Sequence, residues 1–267
     1  MKVRDITSLI EAFAPLSLQE SYDNSGLIVG RPDDEVHKVL LAVDVTEEVL
    51  AEAVAEGCDM VVTHHPIVFH AIKRFNSASV TERCVEEAIR RGIALYAAHT
   101  NLDSTPRGMS WRVAEILGLK SVRVLQPIND AGAGFGVVGE LTQPMKSEEF
   151  MRAVMSKFGV KAMRHSDMVK SEVSKVAICT GSGGSLIGEA LASGADIYIT
   201  ADLKYNDFMR HENQIILADI GHFESEYCAI EILFDILSKN LLTFAVRKSV
   251  CSRNPVNYMF CECCDKQ

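Results

Sequence analysis

The stretch VLLAVDVTEEVLAEAVAEGCDMVVT at 39–63 predicts the class of fold. Residues 39–45, apolar except for Asp44, have the composition of a buried strand, and 59–63, with their apolar centre at 60–62, form a second one. Between them, 46–57 have the pattern of a helix with Thr46 as its N-cap. Two buried strands joined by a helix indicate a βαβ unit with parallel strands. We therefore expect an α/β fold.

The same alternation of strands and helices continues along the chain. Further strand patterns lie at 93–98, 173–180, 195–200 and 215–220, and further helix patterns at 77–92, 106–119 and 224–240. We expect two related α/β lobes with mixed sheets flanked by helices. The expected boundaries are residues 1–124 plus 241–267 for the first lobe and 125–240 for the second.

An internal pseudo-repeat supports the two-lobe interpretation. EAVAEGCDMVVT at 52–63 matches EALASGADIYIT at 189–200 in its Glu, Ala, Gly, Asp and Thr positions, at a shift of 137 residues. The ordinary Ala and Gly content of two βα units would explain this match equally well. A second match favours duplication, since AHTNLD at 98–103 and GHFESE at 221–226 each place an acid four residues after a histidine.

Three segments end an apolar run with side chains that bind metals, namely VVTHHP (61–66), AHTNLD (98–103) and GHFESE (221–226). Imidazole nitrogens and carboxylate oxygens suit divalent first-row metals. Ligands at the carboxyl ends of strands in open α/β sheets meet in a shared crevice. We therefore predict a metal site in the crevice between the lobes, formed by His64, His65, Asp103, His222 and Glu226.

The roles within this set stay open at this point. Because successive strand residues face opposite sides, His64 and His65 serve one centre only if the strand ends there; otherwise they serve two neighbouring metals. Asp103 is suited to bridge two ions, and His99 either binds metal or orients a ligand. Taken singly, each of these residues is also compatible with a structural role, as a helix cap or as a solvated side chain at the surface.

Composition limits the partners and the compartment. The chain has 267 residues, is 48% hydrophobic and carries a formal net charge of −9 without a block of Lys and Arg. Nucleic acid is therefore an improbable partner, since its binding needs a dense basic face. Neither a signal-peptide pattern nor an apolar run of about 18 residues is present. The cysteines are scattered without the pattern of a secreted disulfide scaffold, so we expect a cytoplasmic protein that is not bound to a membrane.

Charge counting indicates a reaction class. Asp103 and Glu226 would neutralise half of the charge of two divalent cations, and the remainder would attract a small anionic substrate. A water that bridges two such ions is activated near neutral pH. Hydrolysis is the reaction that this arrangement favours.

Three other segments are weaker candidates. TGSGGS at 180–185 either cradles a phosphate with its amides or forms a tight turn. Asp202, Lys204 and Tyr205 either bind substrate or belong to a solvated loop. The C-terminal thiols could bind zinc, although their spacing favours an incidental tail; they are Cys261, Cys263 and Cys264.

Several motifs together resemble the NIF-three-like family of dinuclear metal-binding proteins, whose members are often named type 2 GTP cyclohydrolase I. They are YDNSGLIVG (22–30), DMVVTHHPIVF (59–69), AHTNLD (98–103), VAICTGSGGSLI (176–187), ADIYITADLKY (195–205) and GHFESE (221–226). The resemblance implies a toroidal homohexamer whose ligands to two divalent cations are His64, His65, Asp103, His222 and Glu226. One departure is Asn206, where relatives tend to have histidine.

Two classes of function follow. The first is a metal-dependent hydrolase, similar to GTP cyclohydrolase type 2, that acts on a small anionic or nucleotide-like molecule. The second is a noncatalytic metal-binding protein whose ring serves assembly or regulation. Zinc, iron, manganese, cobalt and nickel all suit the ligand set.

Overall fold

A computed structural model describes residues 1–260 and confirms the α/β class, with two mixed sheets flanked by helices. From edge to edge, the strands of the first sheet are β1 (Gly26–Val29), β4 (Ala94–Ala97), β3 (Met60–Thr63), β2 (Lys38–Ala42) and β11 (Ala245–Lys248). All of them run parallel except β1, which pairs antiparallel with β4. The predicted βαβ unit thus supplies two central strands of this sheet.

The second sheet has a parallel centre and antiparallel edges. Its strands, in spatial order, are β5 (Lys120–Pro127), β6 (Gly134–Lys146), β8 (Glu172–Ser182), β9 (Ile197–Ala201), β10 (Ile216–Asp219) and β7 (Arg164–His165). Only β8, β9 and β10 are mutually parallel. The expected lobe boundary at residue 124 falls within β5, and the division into lobes stays a proposal.

Helices cover both faces of each sheet. One core joins the two sheets through α1 (Val3–Phe13), α5 (Met109–Leu117), α6 (Ser147–Phe158) and α9 (Cys228–Asn240). On the opposite faces lie α2 (Glu47–Ala55) and α3 (Val80–Arg91) for the first sheet and α7 (Ile187–Ala192) for the second. Strands buried on both sides need apolar residues at every position, which explains the unbroken apolar runs of the sequence.

Two short helices refine the predicted secondary structure. The AHTNLD segment, for which no helix pattern was given, contains α4 (Thr100–Ser104), and the helix expected at 106–119 is the shorter α5. The helix expected at 224–240 starts two residues earlier, as α8 (His222–Glu226), and continues beyond Tyr227 as α9. Among residues 1–260, no helix is both long and apolar enough to cross a membrane.

The two matched segments have the same local structure. Asp59, just before β3, accepts hydrogen bonds through Oδ2 from two consecutive N–H groups at the start of β2, at 2.7 and 3.2 Å. Asp196, its counterpart before β9, does the same near the start of β8, at 2.9 Å each. In both halves the aspartate ties its strand to the preceding parallel strand. This shared role explains the conserved place of Asp in the repeat.

Candidate metal centre

The predicted ligands come from the carboxyl ends of three parallel strands. His64 and His65 directly follow β3, which ends there as its following proline predicts. After β4, α4 carries Asp103; after β10, α8 starts at His222 and ends at Glu226. Each short helix places its acid one turn beyond a histidine. The two sheets thereby contribute to one cluster.

Glu226 lies at the middle of this cluster and is buried. Its Oε2 is 2.9 Å from Nε2 of His65 and 2.8 Å from Nε2 of His222. Those two imidazole nitrogens are 3.3 Å apart. Three ligand atoms of the kind that metals prefer therefore surround one small volume.

The other oxygen of Glu226 faces a second group of ligands. Its Oε1 is 3.7 Å from Nε2 of His64, and that nitrogen is 3.8 Å from Oδ1 of Asp103. Both His64 Nε2 and Asp103 Oδ1 are buried without a hydrogen-bond partner among residues 1–260. Buried polar atoms are nearly always satisfied, so a facing pair of unpartnered metal ligands fits a cation between them. The residues present therefore fit a metal.

Each imidazole is held by an oxygen acceptor at its other nitrogen. The Nδ1 atoms of four histidines contact these acceptors at 2.7 Å each: Ala98 O for His64, Asp44 for His65, Asp202 for His222 and Asp23 for His99. An Nδ1–H that donates to such an oxygen leaves the lone pair of Nε2 directed at the centre. The rings are thus oriented before any metal arrives.

Charge within the cluster shifts the pKa values of its members. Burial lowers the pKa of His65, but hydrogen bonds with Asp44 and Glu226 outweigh it and raise this pKa to about 10. For His222, burial acts the same way, and Glu226 and Asp202 raise its pKa to about 9. Burial raises the pKa of the Asp103 carboxyl. Without a metal, the histidines therefore hold protons that balance the acids.

Comparison with known proteins identifies the family. The family model Duf34/NIF3 (NGG1p interacting factor 3) matches residues 1–255.

The chain belongs to the Duf34/NIF3 family.

A Clostridium perfringens member, named GTP cyclohydrolase 1 type 2 homolog, is 38% identical over 230 residues, covering 85% of this chain and 87% of its own. A hypothetical protein of Staphylococcus aureus superposes with a TM-score of 0.88 at 26% identity, covering 97% of this chain and 99% of its own. Reduced HcgD from Methanocaldococcus jannaschii is 30% identical with a TM-score of 0.78, covering 93% and 97%. The family inferred from the motifs is confirmed.

In this Duf34/NIF3 protein, the glycine-rich loop at 180–185 leaves space for the side chain of Glu226, one of the predicted metal ligands. Gly181 has a φ of +64°, and a Cβ built on it would lie 2.1 Å from Glu226 Oε1. Its N–H donates to Ser225 Oγ at 2.9 Å, and that of Gly183 donates to Thr200 Oγ1 at 3.0 Å. Because these two N–H groups already donate within the protein, they are not free to bind a phosphate. This weakens the interpretation of the loop as a phosphate site.

The three predicted substrate-binding residues lie in different environments. Asp202 orients His222, as described above. Lys204 and Tyr205 are exposed, Tyr205 by 82%, and neither lines the two cavities that adjoin the Duf34/NIF3 centre. Their role in binding substrate stays a prediction. The cysteines at 261, 263 and 264 lie outside the described residues.

Asp23 and Asp44 were not anticipated as partners of the site histidines. Asp44 follows β2, the neighbour of β3, so the rule that pointed to the histidines also applied to it. Asp23 belongs to the YDNSGLIVG motif, and its carboxylate also accepts a hydrogen bond from the Thr100 N–H at 3.1 Å. For Asp44, the signal in the sequence was its position directly after a strand. For Asp23 there was no such signal, because only the tertiary structure brings it to His99.

Two cavities reach the centre from different sides. One, of about 390 Å³, is lined by His99, Asp103 and Glu226 together with Tyr22 and Phe135, and no Lys or Arg of residues 1–260 lines it. The other, of about 540 Å³, reaches the outer sides of the histidines through its lining residues Asp44, His65, Asp202 and His222. The centre is thus accessible to molecules of small-ligand size.

Proposed function

We propose that this protein binds two divalent cations and hydrolyses a small anionic or nucleotide-like molecule, as a homologue of GTP cyclohydrolase type 2. The observation that carries the proposal is the division of ligands about Glu226. Oε2 faces His65 and His222, whereas Oε1 faces His64, which in turn faces Asp103. Two triads that share one carboxylate fit two neighbouring ions. In this proposal Glu226 is the shared ligand.

Divalent cations held there would supply Lewis acidity, which lowers the pKa of water and stabilises negative charge on a substrate oxygen. Side chains of the protein would orient the metal ligands and exchange protons with the substrate. Asp44 and Asp202 hold the imidazoles of His65 and His222 with their Nε2 atoms inward. His99, held by Asp23 and facing His64 and His65, lines the smaller cavity and can exchange a proton with substrate at Nε2.

Hydrolysis is supported by the ligand types of the site, which suit metals that activate water, and by the name of a relative. Carboxylate and imidazole ligands suit zinc, iron, manganese, cobalt or nickel. The name of the Clostridium perfringens relative refers to a cyclohydrolase, which opens a ring by adding water. Cyclic amides and nucleotides are therefore the first molecules to test.

A homohexameric ring and a cytoplasmic location complete the proposal. The ring rests on family resemblance. The location is supported by free thiols among residues 1–260, in keeping with a reducing compartment; they are Cys58, Cys84, Cys179, Cys228 and Cys251. Light scattering of the purified protein would test the hexamer.

Metal analysis followed by a substrate screen tests the function. Purified protein should contain about two equivalents of divalent metal per chain and hydrolyse at least one nucleotide, phosphoester or cyclic amide. Glu226→Gln and His65→Ala should lose metal and at least about 100-fold of the activity, with the fold intact by circular dichroism. A hydrolytic activity that Glu226→Gln leaves unchanged would exclude this centre. Two bound metals without any turnover would favour the noncatalytic alternative.

A further inference from the structure

We propose that a separate cavity, between the end of α6, the start of α9 and residues 253–258, binds a planar aromatic phosphate of the nucleotide class. Its volume is about 560 Å³, within the range of about 300–1,000 Å³ found for small-molecule sites. None of the five proposed metal ligands lines it. The site goes beyond the proposed hydrolysis, because binding there does not depend on metal.

Aromatic rings form much of the wall. Phe158, Phe223, Tyr227 and Tyr258 line the cavity, and the rings of Phe223 and Tyr227 are 5.5 Å apart at an angle of 50°. Tyr227 and Tyr258 remain 40% and 36% exposed. Such rings offer flat faces on which a nucleobase can stack, and stacking is worth more than apolar burial alone.

Three cations lie at the same cavity: Lys157 and Lys161 near the end of α6, and Arg253 opposite them. All three are exposed, and no carboxylate of residues 1–260 lies within 4.0 Å of their charged nitrogens. By contrast, other arginines nearby are paired, Arg112 with Asp235 and Arg152 with Glu148, each at 2.7 Å. Unpaired Lys and Arg at a concave surface suit a phosphate, which Arg binds through two parallel hydrogen bonds.

Two acids, Glu224 and Glu231, also line the cavity, and Oε2 of Glu224 is buried without a hydrogen-bond partner among residues 1–260. Glu231 pairs with Lys248, and Glu224 accepts a hydrogen bond through Oε1 from Asn254 Nδ2 at 2.9 Å. Three cations against two carboxylates leave the lining with a formal charge of +1. The smaller cavity at the metal centre has no lining cation among residues 1–260. In the 540 Å³ cavity the lining cation, Arg164, is paired with Asp219. Unpaired lining cations therefore distinguish the cavity at α6 from the two cavities at the metal centre, where bound metal would supply the positive charge.

The C-terminal segment is fixed in place as one wall of this cavity. Before it, the N–H of Val250 donates to Glu52 Oε1 at 2.9 Å, and Asn254 contacts Glu224 on α8. The wall residues Phe223, Glu224, Asn254, Val256 and Tyr258 are shared with the 540 Å³ cavity that reaches His65 and His222. The proposed nucleotide site and the cavity that reaches the metal centre are thus neighbours with a common wall.

Binding of guanosine 5′-monophosphate to the full chain, measured by calorimetry before and after chelation of metal, tests the proposal. We expect the same Kd in both states. Lys157→Glu, Arg253→Glu and Tyr258→Ala should each raise Kd about 10-fold or more, because each removes one ligand contact. Arg152→Glu, on the same helix but outside the cavity, is the matched control and should not change Kd. Guanosine and inorganic phosphate should each bind at least about 10-fold more weakly than the nucleotide.

Three results would overturn the site: no binding up to about 1 mM nucleotide, a Kd that the cavity variants leave unchanged, or inorganic phosphate binding as tightly as the nucleotide. Binding that disappears on chelation or in Glu226→Gln would move the nucleotide to the metal centre, which refutes this site and supports the proposed function. Failure of the hydrolysis screen leaves the binding measurement unaffected, so the two proposals fail separately.

Discussion

His65 Nε2 and His222 Nε2 lie 3.3 Å apart although 157 residues separate them in the chain. Each also contacts the same oxygen of Glu226. Two imidazole nitrogens at this distance need either a proton or a cation between them and the carboxylate. The protein meets this need without metal by raising the pKa values of both histidines.

Metal binding should therefore release protons. The pKa values of about 10 for His65 and about 9 for His222 lie above the ordinary 6.5, so at pH 8 both imidazoles are positively charged, with a proton on each ring nitrogen. A metal must displace one proton from each imidazole. Titration with Mn²⁺ at pH 8, in buffers of different ionisation enthalpy, should show release of at least two protons per chain, one each from His65 and His222. The number should fall as the pH rises through 9 and 10. Release that does not change over this range would contradict the assignment.

Gly181→Ala should weaken metal binding. The new Cβ would lie 2.1 Å from Glu226 Oε1 and must displace the shared ligand. We expect a loss of affinity of about 10- to 100-fold in competition with a chelator. Gly194→Ala is the control, since its φ of +72° is similar but nothing lies within 4 Å of the added atom. Both variants should lose about 1 kcal/mol of stability from left-handed backbone strain. Equal metal affinities in the two variants would show that Glu226 does not need this space.

Asp44→Asn should lower metal affinity although Asp44 is not among the predicted ligands. Its Oδ1 is 2.7 Å from Nδ1 of His65 and thereby fixes the direction of Nε2. Loss of such an orienting carboxylate typically reduces metal affinity about 10- to 100-fold. Among residues 1–260, the exposed Asp33 forms ion pairs with Lys2 and Arg4 alone, so Asp33→Asn serves as the control. Chelator competition on both variants measures the difference, and an unchanged affinity in Asp44→Asn would contradict the role.

Asp103→Asn should abolish metal binding at its triad while stabilising the metal-free protein. Burial raises the pKa of Asp103, so its charged form opposes folding near neutral pH. Removing the charge should therefore raise the Tm of the metal-free protein. Thermal denaturation in the presence of a chelator measures this change. In metal-loaded samples the order should reverse, since only the unsubstituted protein gains stability from bound ions. A lower Tm of the variant in chelator would refute the electrostatic strain.

The sequence by itself determined the fold class and the ligand candidates. The stretches 39–43 and 197–199 are apolar at every position, as a strand buried on both faces requires. Polar side chains that directly follow such runs lie at the carboxyl ends of the strands. This rule pointed to His64, His65 and His222. These inferences rest on local rules, namely strand length, alternation and helix spacing.

Only the tertiary structure decided which atoms meet. The sequence left the position of a shared ligand open, with Asp103 as one suggestion, and only the fold shows that the two oxygens of Glu226 face separate groups of ligands. The contact of Asp23 with His99 and the clearance over Gly181 likewise depend on segments distant in sequence. Such contacts depend on the packing of two sheets against shared helices. That packing is a property of the whole core, which no local pattern encodes.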